Sequence, residues 1–184
     1  MKTVKLFFFL TVACLAMSLF TSCNHQNTPV TPPAQDLTPV AAGMKFTATF
    51  DTLTIQMCDI SFDYYDEKGQ KKNEVVNTTV WKKLIKSDAL PATFGFHWNL
   101  AVKADLDTTK FEHFVVDYGF TYESVALNAS DAAVSQPKGA AFANTMNMAM
   151  RKRNTVVETI MNSNPVNFVH KYDAQGVVTV EDWK

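Results

Sequence analysis

Histidine, cysteine and clustered carboxylates are where chemistry would show first in this chain. Four histidines occur, and His25 lies in a proline-rich stretch, which leaves His97, His113 and His170 as possible metal ligands. His97 and His113 both fall on the polar parity of alternating segments. If those segments form one hairpin around Asp107, His113 lies opposite about Val102 and His97 is five residues further on. At 3.3 Å per residue the two stand ~16 Å apart, far beyond a shared ion. His170 has no spacing relation to either, so no metal site and no cofactor is expected. Asp59, Ser61 and Asp63 alternate along one strand face with Asp66 following, but Tyr64 stands where a calcium loop needs glycine. An exposed polar strand face accounts for the pattern. The chain has no glycine-rich phosphate loop, nucleophile elbow or HExxH, which argues against an enzyme and leaves no catalytic residue to name. Carboxylate pairs that meet only in space stay open.

The cysteines are Cys14, Cys23 and Cys58. Cys58, between Met57 and Asp59 with Ile60 following, has no histidine beside it to stabilise a thiolate, so it reads as a small core residue. Trp81, Trp98 and Trp183, with Tyr64, Tyr65 and Tyr122, have the chemistry to stack on sugar rings. Trp98 is in phase with Phe94 and Phe96 and belongs to the core. Tyr65, on the outer parity at a hairpin mouth, and Trp81 are the candidate ligand-binding residues.

The leader sets the frame for these residues. Lys2 and Lys5 precede an apolar run from Leu6 to Leu19, too short for the roughly 20 residues that span a bilayer and without a stop-transfer cluster. Phe20-Thr21-Ser22-Cys23 then resembles the lipobox of bacterial lipoproteins, in the large-residue variant similar to those of gut-dwelling Gram-negative anaerobes. The resemblance implies a signal peptide over 1–22, cleavage before Cys23, and lipidation of Cys23 by chains such as palmitate. It also implies outer-membrane attachment, because Asn24 is not the aspartate that signals inner-membrane retention. Asn24 to Asn27 carries no acid and the first is Asp36, which favours the periplasmic face over the cell surface. The chain resembles uncharacterised β-sandwich lipoproteins of those bacteria. Asp51-Thr52-Leu53 resembles their O-glycosylation motif, which implies a glycan on Thr52.

Removing 1–22 takes two lysines from the 17 Lys and Arg, leaving 15 against 18 acids. That mild acidity gives no basic face for nucleic acid. The stretch 23–43 is rich in Pro, Thr and Asn and reads as a flexible tether. The folded domain is expected over 44–184, a size suited to one core.

Within it the periodicity is mostly that of strands. Phe46, Ala48 and Phe50 share a face. Leu53, Ile55 and Met57 share another, while Ile60, Phe62 and Tyr64 have opposite parity, so a β-bulge is expected near Met57-Cys58. Asp66-Glu67-Lys68-Gly69 makes a hairpin turn, with a return strand over about Glu74 to Ile85. Thr93 to Ala104 and Phe111 to Leu127 alternate most clearly and are expected to pair as an antiparallel hairpin. Ala141 to Met150 fits either strand or helix. Thr155 to Glu158 has capping-box spacing for a short helix ending before Pro165. Asp173-Ala174-Gln175-Gly176 turns a last hairpin. The fold class expected is all-β: an antiparallel two-sheet immunoglobulin-like sandwich with one short helix in the C-terminal half, with α+β as the alternative. The function expected is a lipid-anchored, non-catalytic envelope module that binds glycans or another envelope protein. An envelope structural or assembly protein and a hydrolase with spatially assembled carboxylates are the alternatives.

Overall fold

A computed structural model describes residues 36–164 and 166–184. Cys23, the lipobox, His25, most of the tether and Pro165 lie outside the described residues. Nine strands form two antiparallel sheets, as the alternation requires: β1 (Ala41–Phe50), β2 (Cys58–Tyr65), β3 (Lys71–Val76), β4 (Val80–Lys86), β5 (Ala92–Val102), β6 (His113–Leu127), β7 (Lys138–Ala149), β8 (Asn167–Tyr172) and β9 (Val178–Glu181). One sheet runs β4-β1-β6-β7 and the other β3-β2-β5-β8-β9. Helices α1 (Thr52–Met57) and α2 (Arg153–Asn162) lie at the joins between sheets. β1 opens three residues before Met44, and Ala41, Ala42 and Met44 are all buried.

The core is aromatic. Phe96 is fully buried, and its ring centroid lies 5.0 Å from that of Phe46 and 4.6 Å from Phe120 across the gap between the sheets, and 4.8 Å from Phe62 on the neighbouring strand. The Trp98 ring is tilted against Tyr118 at 4.7 Å, and Tyr122 stacks on Phe168 at 4.0 Å. These spacings are those of favourable tilted and offset ring pairs.

The change of parity near Met57 is not a bulge. Residues 52–57 turn as α1, because Asp51 accepts a hydrogen bond from the Leu53 amide at 2.7 Å and caps the turn. Thr54, fully buried, fixes that turn to β6: its hydroxyl accepts from the Asp117 amide at 2.8 Å and donates to the Asp117 carbonyl at 3.3 Å. The helical turn resets which face the next strand buries.

The expected return strand over Glu74 to Ile85 is two strands, broken at Asn77-Thr78-Thr79, and the halves join different sheets. Glu74 of β3 closes the gap this leaves. Its carboxylate accepts from Trp81 Nε1 at 2.8 Å and Lys83 Nζ at 3.0 Å on β4, and from the Tyr64 hydroxyl at 3.0 Å on β2. Burial pushes the Glu74 carboxyl up, but those three donors outweigh it and hold it below its usual range. Glu74→Ala is expected to cost about 2 kcal/mol, because it leaves the indole N–H of a buried ring unpaired. A lowered urea midpoint with unchanged m-value checks this.

β5 and β6 do not pair. β5 lies between β2 and β8, and β6 between β1 and β7, so the two best-patterned strands face each other across the core. Both inner faces need a full aromatic layer opposite, and a hairpin would have put both layers on one sheet. Residues 138–149 form a strand, paired to β6 from His113↔Ala149 to Ser124↔Lys138. Helix α2 begins at Arg153, so Thr155 lies inside it and caps nothing; Lys152 at the N-cap makes no side-chain bond. Its Val156 and Ile160 face the core. The two hairpin turns share one chemistry. Asp66 accepts from the Lys68 and Gln70 amides, and Asp173 from those of Gln175 and Val177, with Gly69 and Gly176 at φ 70° and 74°.

Candidate binding face

The strand register determines which side chains meet on the outer surface of the five-stranded sheet. Directly opposite residues of antiparallel strands share a face. Asn73 lies opposite Asp63, Asp63 opposite His97, and His97 opposite Asn167, so these four make one row across β3, β2, β5 and β8. Ser61 and Asn99 form the next row with Val75, and Tyr65 lies opposite Lys71 in the row on the other side. Along β5, Thr93, Gly95, His97, Asn99 and Ala101 alternate outward over about 26 Å.

Side-chain hydrogen bonds tie the rows together. Asp63 accepts from Asn73 Nδ2 at 2.8 Å through one carboxylate oxygen and from Asn99 Nδ2 at 3.2 Å through the other. His97 Nε2 lies 3.2 Å from Asn99 Oδ1, and His97 Nδ1 lies 3.3 Å from Asn167 Oδ1. The result is a linked patch of three amides, a carboxylate and an imidazole, in which the amides and the carboxylate keep donor or acceptor capacity to spare.

An aromatic pair borders this row. Trp183, just past β9, packs over Gly95 with its ring centroid 4.6 Å from that of Tyr65 and 6.5 Å from His97. Lys71 Nζ lies 4.9 Å from the Trp183 ring. A Cβ on residue 95 would fall 2.5 Å from the Trp183 ring and 2.8 Å from Tyr65 Cδ2, so this packing requires glycine. Gly95→Ala is expected to expel Trp183 from the face, read as a red shift of tryptophan emission while Trp81 and Trp98 stay buried.

Two hollows lie at the ends of the face. One of about 490 Å³ is lined by Asp59, Ser61, Asn73, Asn99 and Met161 of α2. The other, about 570 Å³, is lined by Tyr65, Lys68, Asp88 and Thr93 among others.

Of the residues singled out in the sequence, Tyr65 is on this face and Trp81 is not. Trp81 is 7% exposed in the core, 4.7 Å from the Phe62 ring, with its N–H held by Glu74, so it offers no ring face to a ligand. Thr52 is exposed at the start of α1. His97 and His113 belong to different sheets. Among the described residues no group of three or more His, Cys, Asp or Glu is placed to hold a metal ion. The polar strand containing Asp59, Ser61 and Asp63 does face outward, but Asp63 is the centre of a network rather than a solvated charge. Trp183 was among the aromatics suited to stacking but was not placed on a face, and Asn73, Asn99 and Asn167 were not indicated by local spacing. Their only signal is that the three asparagines sit off the buried parity of their strands.

Two nucleophile-like groups are placed where they cannot act. Cys58 is 2% exposed, and burial pushes its thiol up to about 12, so it is inert. Ser124 Oγ lies 2.7 Å from His170 Nδ1 and accepts from the Tyr172 hydroxyl at 2.8 Å, but all three are 2% exposed or less, between the sheets. No helix among the described residues is long and apolar enough to cross a membrane. Compared with protein-family models, curated proteins and solved structures, the chain matches none of them.

Proposed function

We propose that this chain is a lipid-anchored, non-catalytic binding module of the bacterial envelope, and that its ligand is a neutral glycan laid along the outer face of the five-stranded sheet. One observation carries the reading: the row Asn73–Asp63–His97–Asn167, linked through Asn99 and bordered by Tyr65 and Trp183. Amides, carboxylate and imidazole on one sheet face suit the mixed donor and acceptor pattern of sugar hydroxyls, and the half-buried Tyr65 ring, backed by the buried Trp183, suits the apolar face of a pyranose ring. The open, elongated surface favours a chain over a small molecule.

In this reading Cys23 holds the protein on the periplasmic side of the outer membrane through its lipid. Two or three acyl chains make that attachment effectively permanent. Thr52, beside the capping Asp51 and exposed, carries the O-glycan. Intact-mass measurement of the membrane-extracted protein tests both modifications: acyl mass lost in Cys23→Ser and hexose mass lost in Thr52→Ala support them.

Binding itself is tested by polysaccharide pull-down and glycan array with the full chain in detergent. Retention of the wild type and loss in Tyr65→Ala supports the proposal. Wild-type protein that binds no glycan contradicts it and leaves envelope assembly as the better reading. Turnover of a bound glycan contradicts the non-catalytic part.

A further inference from the structure

Strand β7 carries an unprotected edge, and its composition points to what covers it. The two sheets have four edge strands: β4, β7, β3 and β9. β4 carries Lys82, Lys83 and Lys86, β3 carries Lys71, Lys72 and Glu74, and β9 is four residues long and ends in Glu181. Short length and edge charges, lysine above all, are how sheets resist pairing with other chains. β7 has neither protection. It is twelve residues long, and from Gly139 to Ala149 it contains no charge and no proline. β6 pairs with it on one side along its whole length, and among the described residues no strand pairs with the other.

We infer that the free edge of β7 pairs antiparallel with β7 of a second copy, joining two four-stranded sheets into one of eight strands. Unpaired backbone N–H and C=O groups call for an extended strand as occupant, and the sequence of β7 suits its own reverse. A two-fold axis normal to the sheet keeps both inner faces on the core side, which requires opposite positions of equal parity. An axis through Asn144, near the strand's centre, satisfies this. It sets Phe142 against Met146 of the second copy on the inner side, a thioether–aromatic contact, and Ala143 against Thr145 on the outer side. No like charges meet anywhere along it. An edge about 40 Å long on a sandwich roughly 20 Å thick presents on the order of 800 Å² per partner, enough for a specific dimer.

Sedimentation velocity of the full chain in detergent tests this, alongside Ala143→Lys/Thr145→Lys and Asn144→Cys. Both lysine positions are exposed, so the double variant is expected to fold as the wild type does, checked by an unchanged thermal melt. The wild type should sediment as a dimer, the lysine pair should weaken dimerisation by about 100-fold or more, and Asn144→Cys should form a disulfide-linked dimer that the wild type does not. A wild type that stays monomeric at about 100 μM overturns the inference. So does a dimer that the lysines leave intact, or a Leu84→Cys control on β4 that cross-links as well as Asn144→Cys.

Discussion

Phe96→Ala is expected to lower the unfolding free energy by about 3–5 kcal/mol. Phe96 is fully buried, and its ring meets Phe46 and Phe120 of one sheet and Phe62 of its own. Truncation removes the transfer free energy of the ring and leaves a cavity in a layer that strands on both sides hold rigid. Against a typical total of about 5–15 kcal/mol, the loss brings the domain near the edge of folding. Urea unfolding of wild type and variant measures it. Phe96→Leu, which keeps most of the volume, should cost well under half as much.

Acidification should destabilise the protein through His170. The imidazole is 1% exposed between the sheets, with Tyr122 and Phe168 rings at 5.6 and 5.1 Å, and among the described residues its Nε2 has no partner. Burial pulls its pKa down from 6.5 to about 4. Between those values the unfolded chain binds a proton that the folded chain refuses, so stability rises with pH through the window. It is complete above about pH 6.5 and lost progressively as pH falls toward 4. The full shift corresponds to about 3 kcal/mol. Urea midpoints between pH 7 and 4.5 measure this, above the range where carboxylates dominate. His170→Gln should flatten the dependence, and a slope that survives it would assign the effect elsewhere.

The aromatic layer around Phe96 was legible in the sequence, and the burial of His170 was not. The alternation of Phe94, Phe96 and Trp98, and of Phe114, Val116, Tyr118 and Phe120, showed two strands with aromatic inner faces, and all seven side chains are buried. From that followed the two-sheet sandwich with a short helix. Pairing was not legible, because alternation tells which face a residue takes and not which strand lies beside it. β5 and β6 have the same pattern whether neighbours in one sheet or opposed across a core. The α1 turn escaped for a related reason: its decisive contacts, Thr54 with the Asp117 backbone, join residues 63 apart. The binding face was legible only in part. Tyr65 could be placed outward by parity, but Trp183 lies past the last strand, and its seat exists only because residue 95, on a strand not adjacent to β9, is glycine. Trp81 shows the opposite error, since the break at 77–79 carries it to the other sheet and turns it into the core.

If the outer face of the five-stranded sheet is the binding surface, substitutions on the two outer faces have different effects. Asp63→Ala, which removes the acceptor joining Asn73 and Asn99, and Thr121→Val, on the outer face of the four-stranded sheet, are screened on one glycan array beside the wild-type full chain. Asp63→Ala is expected to lose at least tenfold in binding, about 1.4 kcal/mol or more, with wild-type binding by Thr121→Val and unchanged melting temperatures for both. Undiminished binding by Asp63→Ala, or a loss confined to Thr121→Val, would contradict it.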